Sequence, residues 1–274
     1  MSVTLDPTVE RAIRQRWPER ADHWMADLPE RLDVLCHELG VTPRRCFPSR
    51  FALVVEAESP SGAALVIRST PDPGAGHQTA VLERLAAADL APVVHRVDRT
   101  PCAVWTVMDA VRPGTPLDTA EPSTIPSDGV VKLLRGLAAG EPGPADLPDL
   151  TEWITPRLTD PPLDDQPPHG GPASEHERLR AMDVLGELAR SRRTELCHGD
   201  LSPGNALIAG SRLLLIDPRG INGEAAYDVA ALALKTSRHD VTLARAAAAG
   251  LARTVDVDPD RAEQWAIVAA AATV

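Results

Sequence analysis

The chain has 274 residues, 43% of them apolar, and a formal net charge of −11. That length and apolar content suit one large or two modest cores, and the acidic balance argues against nucleic acid as a partner, because phosphate backbones demand clustered Lys and Arg. Cys36, Cys46, Cys102 and Cys197 form no Cys-x-x-Cys pair, and neither a basic start followed by an apolar segment nor a bilayer-length apolar run is present, so a cytoplasmic protein with reduced thiols and no membrane partner is expected.

Val9, Ile13 and Trp17 stand at helical spacing, which predicts an amphipathic helix over 8–17 stopped by Pro18. A second helix over 22–39 carries Trp24, Leu28, Leu32, Leu35 and Leu39 on one face and closes at Gly40. From Arg50 the period changes: 51–57 and 63–69 read as strands around Ser59-Pro60-Ser61-Gly62, a strong turn signal. A loop over 71–76, a helix over 78–88 and a strand pair at 93–98 and 104–108 follow.

Residues 109–112 and then 113–126 read as connector and linker, and helices are expected at 128–139 and 147–158. Residues 159–172 are dense in Pro, Asp and Gly and read as a surface segment, either a cover over a cleft or a solvated tether. A helix over 174–191 opens with Ser174 and Glu177 in a capping-box pattern. Ala-rich helices over 225–235, 240–253 and 259–272 end the chain.

The informative stretch lies between these helices. Residues 198–205 read His-Gly-Asp-Leu-Ser-Pro-Gly-Asn, two short strands at 206–208 and 212–216 turn around Ala209-Gly210-Ser211, and Ile216-Asp217-Pro218 follows. Asp200 and Asn205 share one loop, and the hairpin returns Asp217 to them. Phosphoryl transfer needs such a set. Charge spread over the moving phosphoryl oxygens must be neutralised by Mg²⁺ while a carboxylate orients the attacking hydroxyl, and magnesium takes only one or two oxygen ligands from protein. Asn205 and Asp217 fit the metal, which leaves Asp200 free to accept a hydrogen bond from the acceptor hydroxyl. His198 reads as a structural residue holding the loop, because a magnesium site does not favour imidazole. Cys197 reads as core packing.

His-Gly-Asp-Leu-x-Pro-Gly-Asn, the hairpin, Ile-Asp-Pro-x-Gly, Gly223 and Tyr227-Asp228 together resemble the aminoglycoside phosphotransferases. Residues 216–230 are most similar to the streptomycin and hydroxyurea phosphotransferase branch, in which Asp-Pro-Lys-Gly stands in place of Asp217-Pro218-Arg219-Gly220. Looser similarity extends to Trp24–Gly40 and Arg112–Leu117. The resemblance implies an α+β, two-lobed protein-kinase-like fold: a small antiparallel-sheet lobe over 1–109 and a mainly helical lobe over 110–274, with ATP or GTP between them. It implies transfer of the γ-phosphate to a hydroxyl of an antibiotic or related metabolite bound on the larger lobe. Asp228 then braces the catalytic loop, the bland alternative being a surface carboxylate. Asp109, where the connector begins, falls where an adenine finds exposed backbone groups. The acidic surface suits a cationic substrate, or serves only solubility. Asp160, Asp164, Asp165 and the C-terminal helices are unranked candidates for recognising its amino groups.

The small lobe departs from the pattern. The phosphate-gripping Lys and its Glu partner are replaced by Arg68 and Gln78, with Glu83 one turn on as a substitute. Arg keeps the charge and can grip phosphate with two donors, but it is bulkier; Gln78 would orient it by hydrogen bond alone. The turn before Phe51 has no glycine and offers Ser49 as a phosphate contact. Two readings follow: a small-molecule kinase that uses these residues with MgATP or MgGTP, or a non-catalytic binding protein on a kinase scaffold.

Overall fold

The structure, a computed structural model, describes residues 5–160, 173–191 and 193–272. The chain divides into two compact units: residues up to Thr79 together with Pro92–Ala110, and Ala80–Ala91 together with the chain from Val111 onward.

In the first unit Asp6 opens helix α1 (Pro7–Arg16) by accepting the Thr8 N–H at 2.8 Å. Trp17 then separates α1 from α2 (Pro18–Leu39), so Pro18 does not merely end one helix; it occupies the first turn of the next, where its missing N–H costs nothing. Trp24, Leu28, Leu32 and Leu35 of α2 are buried, and Gly40 closes it with a left-handed φ of 64°, a conformation glycine adopts without steric cost.

The sheet holds β1 (Thr42–Cys46), β2 (Leu53–Glu58), β3 (Ala64–Thr70), β4 (Val94–Arg99) and β5 (Val104–Asp109), antiparallel in the order β1-β2-β3-β5-β4. Sequence patterning found every strand but β1. Thr-Pro-Arg-Arg-Cys has no apolar alternation; it pairs on the edge through its backbone and through Arg44–Glu58 and Arg45–Glu56 ion pairs. Val55, Ala57, Ile67, Trp105 and Val107 point inward from alternate positions and join Val9, Ile13 and the buried face of α2 in one core. Trp24 Nε1 donates to Ser69 Oγ at 2.9 Å within it. Helix α3 (Ala75–Ala87) starts three residues ahead of Gln78.

The second unit is mainly helical: α4 (Gly129–Ala139), α5 (Leu150–Thr159), α6 (Glu175–Arg190), the hairpin β6 (Ala206–Ala209) with β7 (Arg212–Leu215), then α7 (Ala225–Thr236), α8 (Val241–Thr254) and α9 (Pro259–Ala271). Ser174 and Glu177 form the capping box of α6. Every residue of α7 from Ala225 to Leu234 is buried. Its small side chains let α8 and α9 approach, and Tyr227 meets Trp265 edge-to-face at 5.4 Å. No helix among the described residues is long and apolar enough to cross a membrane.

These features make an α+β protein with an antiparallel-sheet unit and a helical unit.

Candidate active site

Residues 198–205 form a loop pinned by its neighbours on several sides. Asp228, in the first turn of α7 and fully buried, accepts the His198 N–H at 2.7 Å with Oδ2 and the Gly199 N–H at 2.9 Å with Oδ1. Gly199 has φ +77°, and a Cβ there would lie 2.8 Å from Arg219 Cβ and 2.9 Å from the Ile221 side chain; only glycine fits.

His198 ties two segments together. The Ile216 carbonyl lies 2.9 Å from its Nε2 and can only accept, so Nε2 carries the proton; Nδ1 accepts the Asp200 N–H at 3.2 Å. Such a ring is neutral, and burial, outweighing the nearby acceptor and acids, lowers its pKa to about 4. Asn205 extends the link: its carbonyl accepts the Ile216 N–H at 3.0 Å and its Nδ2 donates to the Asp200 carbonyl at 2.9 Å. The loop bearing Asp200 and Asn205 is therefore stitched to the residue preceding Asp217.

Asn205 so oriented presents Oδ1 as its ligand-capable atom, with no protein partner for it among the described residues. Asp217 is exposed and takes a left-handed φ of 58°. That conformation is costly for a non-glycine residue, and such residues cluster at functional sites. A carboxamide oxygen and a carboxylate are hard oxygen donors of the kind Mg²⁺ accepts, so the donor set fits that ion.

Asp200 is not free, as the sequence suggested. Its Oδ2 receives Arg219 Nη2 at 2.7 Å and its Oδ1 receives Lys235 Nζ at 2.5 Å. Burial alone would raise its pKa, but the two cations overcome that effect and draw it down to about 2. The partners stand 19 and 35 positions downstream, so only the hairpin return and α7 deliver them. Arg219 was visible as the counterpart of a family lysine; Lys235 gave no signal beyond ending a helix. Trp153 of α5 was also missed: the guanidinium carbon of Arg157 lies 3.6 Å from its ring centroid and that of Arg219 lies 5.2 Å from it. Cys197 is inert packing, its thiol pKa pushed well up by burial and then by Asp228.

Of the remaining predicted positions, Arg68, Gln78, Ser49 and Asp109 lie in the first unit and Glu83 and Asp160 in the second. Arg68 is half-buried on β3, and its Nη2 donates to Gln78 Oε1 at 3.2 Å; Gln78 in turn donates from Nε2 to Asp72 Oδ2 at 2.8 Å. Ser49 is half-buried between β1 and β2. Asp109 ends β5 with its N–H donated to Val93 O at 3.0 Å and its carboxylate 2.6 Å from His95 Nε2. The adjacent Ala110 N–H is likewise used, by Ala64 O at 3.1 Å, so neither of these two amides is left for a base. Glu83 is exposed on α3 and Asp160 is exposed at the end of α5; Asp164 and Asp165 lie outside the described residues.

The braced loop on this α+β architecture is that of a small-molecule phosphotransferase of kinase-like fold. The chain belongs to the aminoglycoside/hydroxyurea antibiotic resistance kinase family, whose model matches residues 132–273. Among solved structures it is similar to an aminoglycoside-3′-phosphotransferase of type VIII, with 19% identity over 87% of this chain and 97% of that one and a TM-score of 0.59. A thermostable mutant of aminoglycoside phosphotransferase APH(4)-Ia gives 18% identity over 86% and 88% of the two chains and a TM-score of 0.57. A choline/ethanolamine kinase family protein from Mesorhizobium loti gives 17% over 78% and 69% and a TM-score of 0.52. No curated protein sequence matches the chain. At these identities the structural similarity establishes fold.

Proposed function

We propose that the protein transfers the γ-phosphate of ATP or GTP to a hydroxyl of an antibiotic or related small metabolite in the cytoplasm. The observation that carries this reading is the stitched loop in which His198, Asn205 and Asp228 hold Asp200 beside the segment of Asp217. Asp200 stays ionised and accepts a hydrogen bond from the acceptor hydroxyl, which aims the oxygen lone pair at the γ-phosphorus. As that oxygen bonds to phosphorus, the bond to the β–γ bridging oxygen breaks and its electron pair leaves on the nucleoside diphosphate; the hydroxyl proton passes to Asp200 or to solvent. Asn205 Oδ1 and the Asp217 carboxylate would hold Mg²⁺, which supplies neutralisation of phosphate charge when bound.

On the nucleotide side Arg68, oriented by Gln78, is the phosphate clamp, Ser49 a further phosphate contact and Asp109 the start of the base-binding connector. Support for nucleotide use comes from relatives solved with ADP and hygromycin B, or with AMP-PNP, Ca²⁺ and amicoumacin. The net charge of −11 favours a cationic acceptor.

The second reading, a binding protein on a kinase scaffold, draws on the neutral Gln78 partner of Arg68. Incubation with γ-labelled ATP or GTP, magnesium and a panel of aminoglycosides, hydroxyurea and nucleoside antibiotics separates the two. Label on an acceptor, lost in Asp200→Asn while nucleotide binding persists, supports the kinase. Nucleotide binding without transfer to any member of the panel or to water supports the scaffold.

A further inference from the structure

The two cations on Asp200 are not equivalent. Lys235 stands seven residues after Asp228 on α7, hence on the same helix face two turns on. The helix is buried along its preceding length, and the Lys235 side chain is only 19% exposed. One rigid element thus braces the catalytic loop through Asp228 and aims the carboxylate at its tip through Lys235. Arg219 comes instead from the irregular segment after β7, and its side chain is 34% exposed. Its guanidinium also lies 5.2 Å from the centroid of the Trp153 ring, which Arg157 faces at 3.6 Å, so two cations crowd that ring.

We infer that Asp200 sits in a two-armed latch, with Lys235 as the fixed arm on Oδ1 and Arg219 as an exchangeable arm on Oδ2 that an incoming acceptor hydroxyl displaces. The inference rests on the phosphoryl-transfer reading. Lys235 and Arg219 act through Asp200 and are positioning residues. With Oδ1 anchored, the carboxylate keeps one orientation while Oδ2 passes from Arg219 to the hydroxyl. Without an acceptor, Arg219 covers the oxygen that would otherwise orient a water for attack on the γ-phosphorus, an attack that releases phosphate and the nucleoside diphosphate. The latch restrains that futile hydrolysis.

Two readouts test it: the ¹³Cγ titration of Asp200 by NMR, and phosphate release from MgATP with water as the acceptor. Lys235→Met is expected to raise the Asp200 midpoint by about one unit or more and to lower hydrolysis by roughly tenfold or more, with Lys235→Arg restoring most of both. Arg219→Gln is expected to raise hydrolysis several-fold. An unmoved Asp200 titration in Lys235→Met overturns the fixed arm. A wild type that transfers or hydrolyses while Arg219→Gln merely loses activity overturns the exchangeable arm and leaves the kinase reading standing. Silence of wild type and Arg219→Gln alike, with Asp200 still titrating low, sinks the kinase reading and the exchangeable arm together; the titration alone then judges the fixed arm.

Discussion

Asp228 accepts the backbone N–H of His198 at 2.7 Å although its own carboxylate is wholly buried, and its other oxygen takes Gly199 at 2.9 Å. An isosteric carboxamide cannot satisfy both amides, because it turns an N–H₂ toward one of them. Asp228→Asn should therefore cost about 2–4 kcal/mol, the penalty of buried donors left without acceptors, measured as a lowered denaturant midpoint with an unchanged slope. Phosphoryl transfer should fall further than stability does, since the loop bearing Asp200 loses its brace. A stability loss within a few tenths of a kcal/mol would mean that water reaches these amides.

The same carboxyl gives stability an unusual pH slope. Burial raises the Asp228 pKa to about 7 against the pull of its two amide donors, whereas an unfolded aspartate titrates near 4. The folded state therefore binds this proton more tightly, and the contribution of Asp228 to stability is full below about pH 4 and declines as pH rises toward 7. Chemical denaturation between pH 4 and pH 7 should show a downward slope that flattens in Asp228→Asn. An identical slope in the variant would assign the effect to other groups.

Asp200 titrates with the opposite sign. Its folded pKa of about 2 lies below the unfolded value near 4, so the two ion pairs contribute fully above about pH 4 and are lost as pH falls toward 2, an effect on the order of 2 kcal/mol. The stability gap between wild type and Asp200→Asn should shrink over that interval. A gap independent of pH from 5 to 2 would mean that Arg219 and Lys235 do not hold the carboxylate in solution.

How much of this was legible depends on the range over which each contact acts. The 198–205 loop and the hairpin that ties it to Ile216 could be read because their spacing is local, and alternation exposed β2, β3, β4 and β5. Strand β1 escaped because Thr42–Cys46 buries almost nothing and is held by backbone pairing and by Arg44 and Arg45. The latch was only half legible: Arg219 showed as the counterpart of a family lysine, whereas Lys235 meets Asp200 only after α7 packs. A positive charge at the end of a helix has a sufficient local explanation, so nothing in the sequence pointed inward.

Glu224 and Arg261 form a buried pair, 2.5 Å between Oε1 and Nη2 and 2.6 Å between Oε2 and Nε, with side-chain exposures of 4% and 8%. Arg261 also donates to Ser191 Oγ at 2.7 Å, so it joins the start of α9, the end of α6 and the residue before α7. Removing one charge strands the other in a medium that solvates it poorly. Arg261→Met should destabilise by about 3–5 kcal/mol, and the double change with Glu224→Leu should recover much of that loss. Thermal unfolding of both variants checks this; a double variant no better than the single would show that Ser191 and the backbone contacts, rather than the stranded Glu224, set the cost.

Arg68 on β3 donates to the neutral Gln78, which is itself tethered to Asp72 at 2.8 Å. Arg68→Lys trades a planar fork for a compact, more strongly hydrated charge. If Arg68 serves the nucleotide as a simple cation, Arg68→Lys should keep or increase the rise in Tm given by MgATP or MgGTP. Loss of the shift in Arg68→Lys with unchanged Tm in the absence of nucleotide would mean that the guanidinium makes contacts an ammonium cannot reach. No shift in any form, wild type included, at millimolar nucleotide would remove ATP and GTP as ligands and leave the scaffold reading to explain the fold.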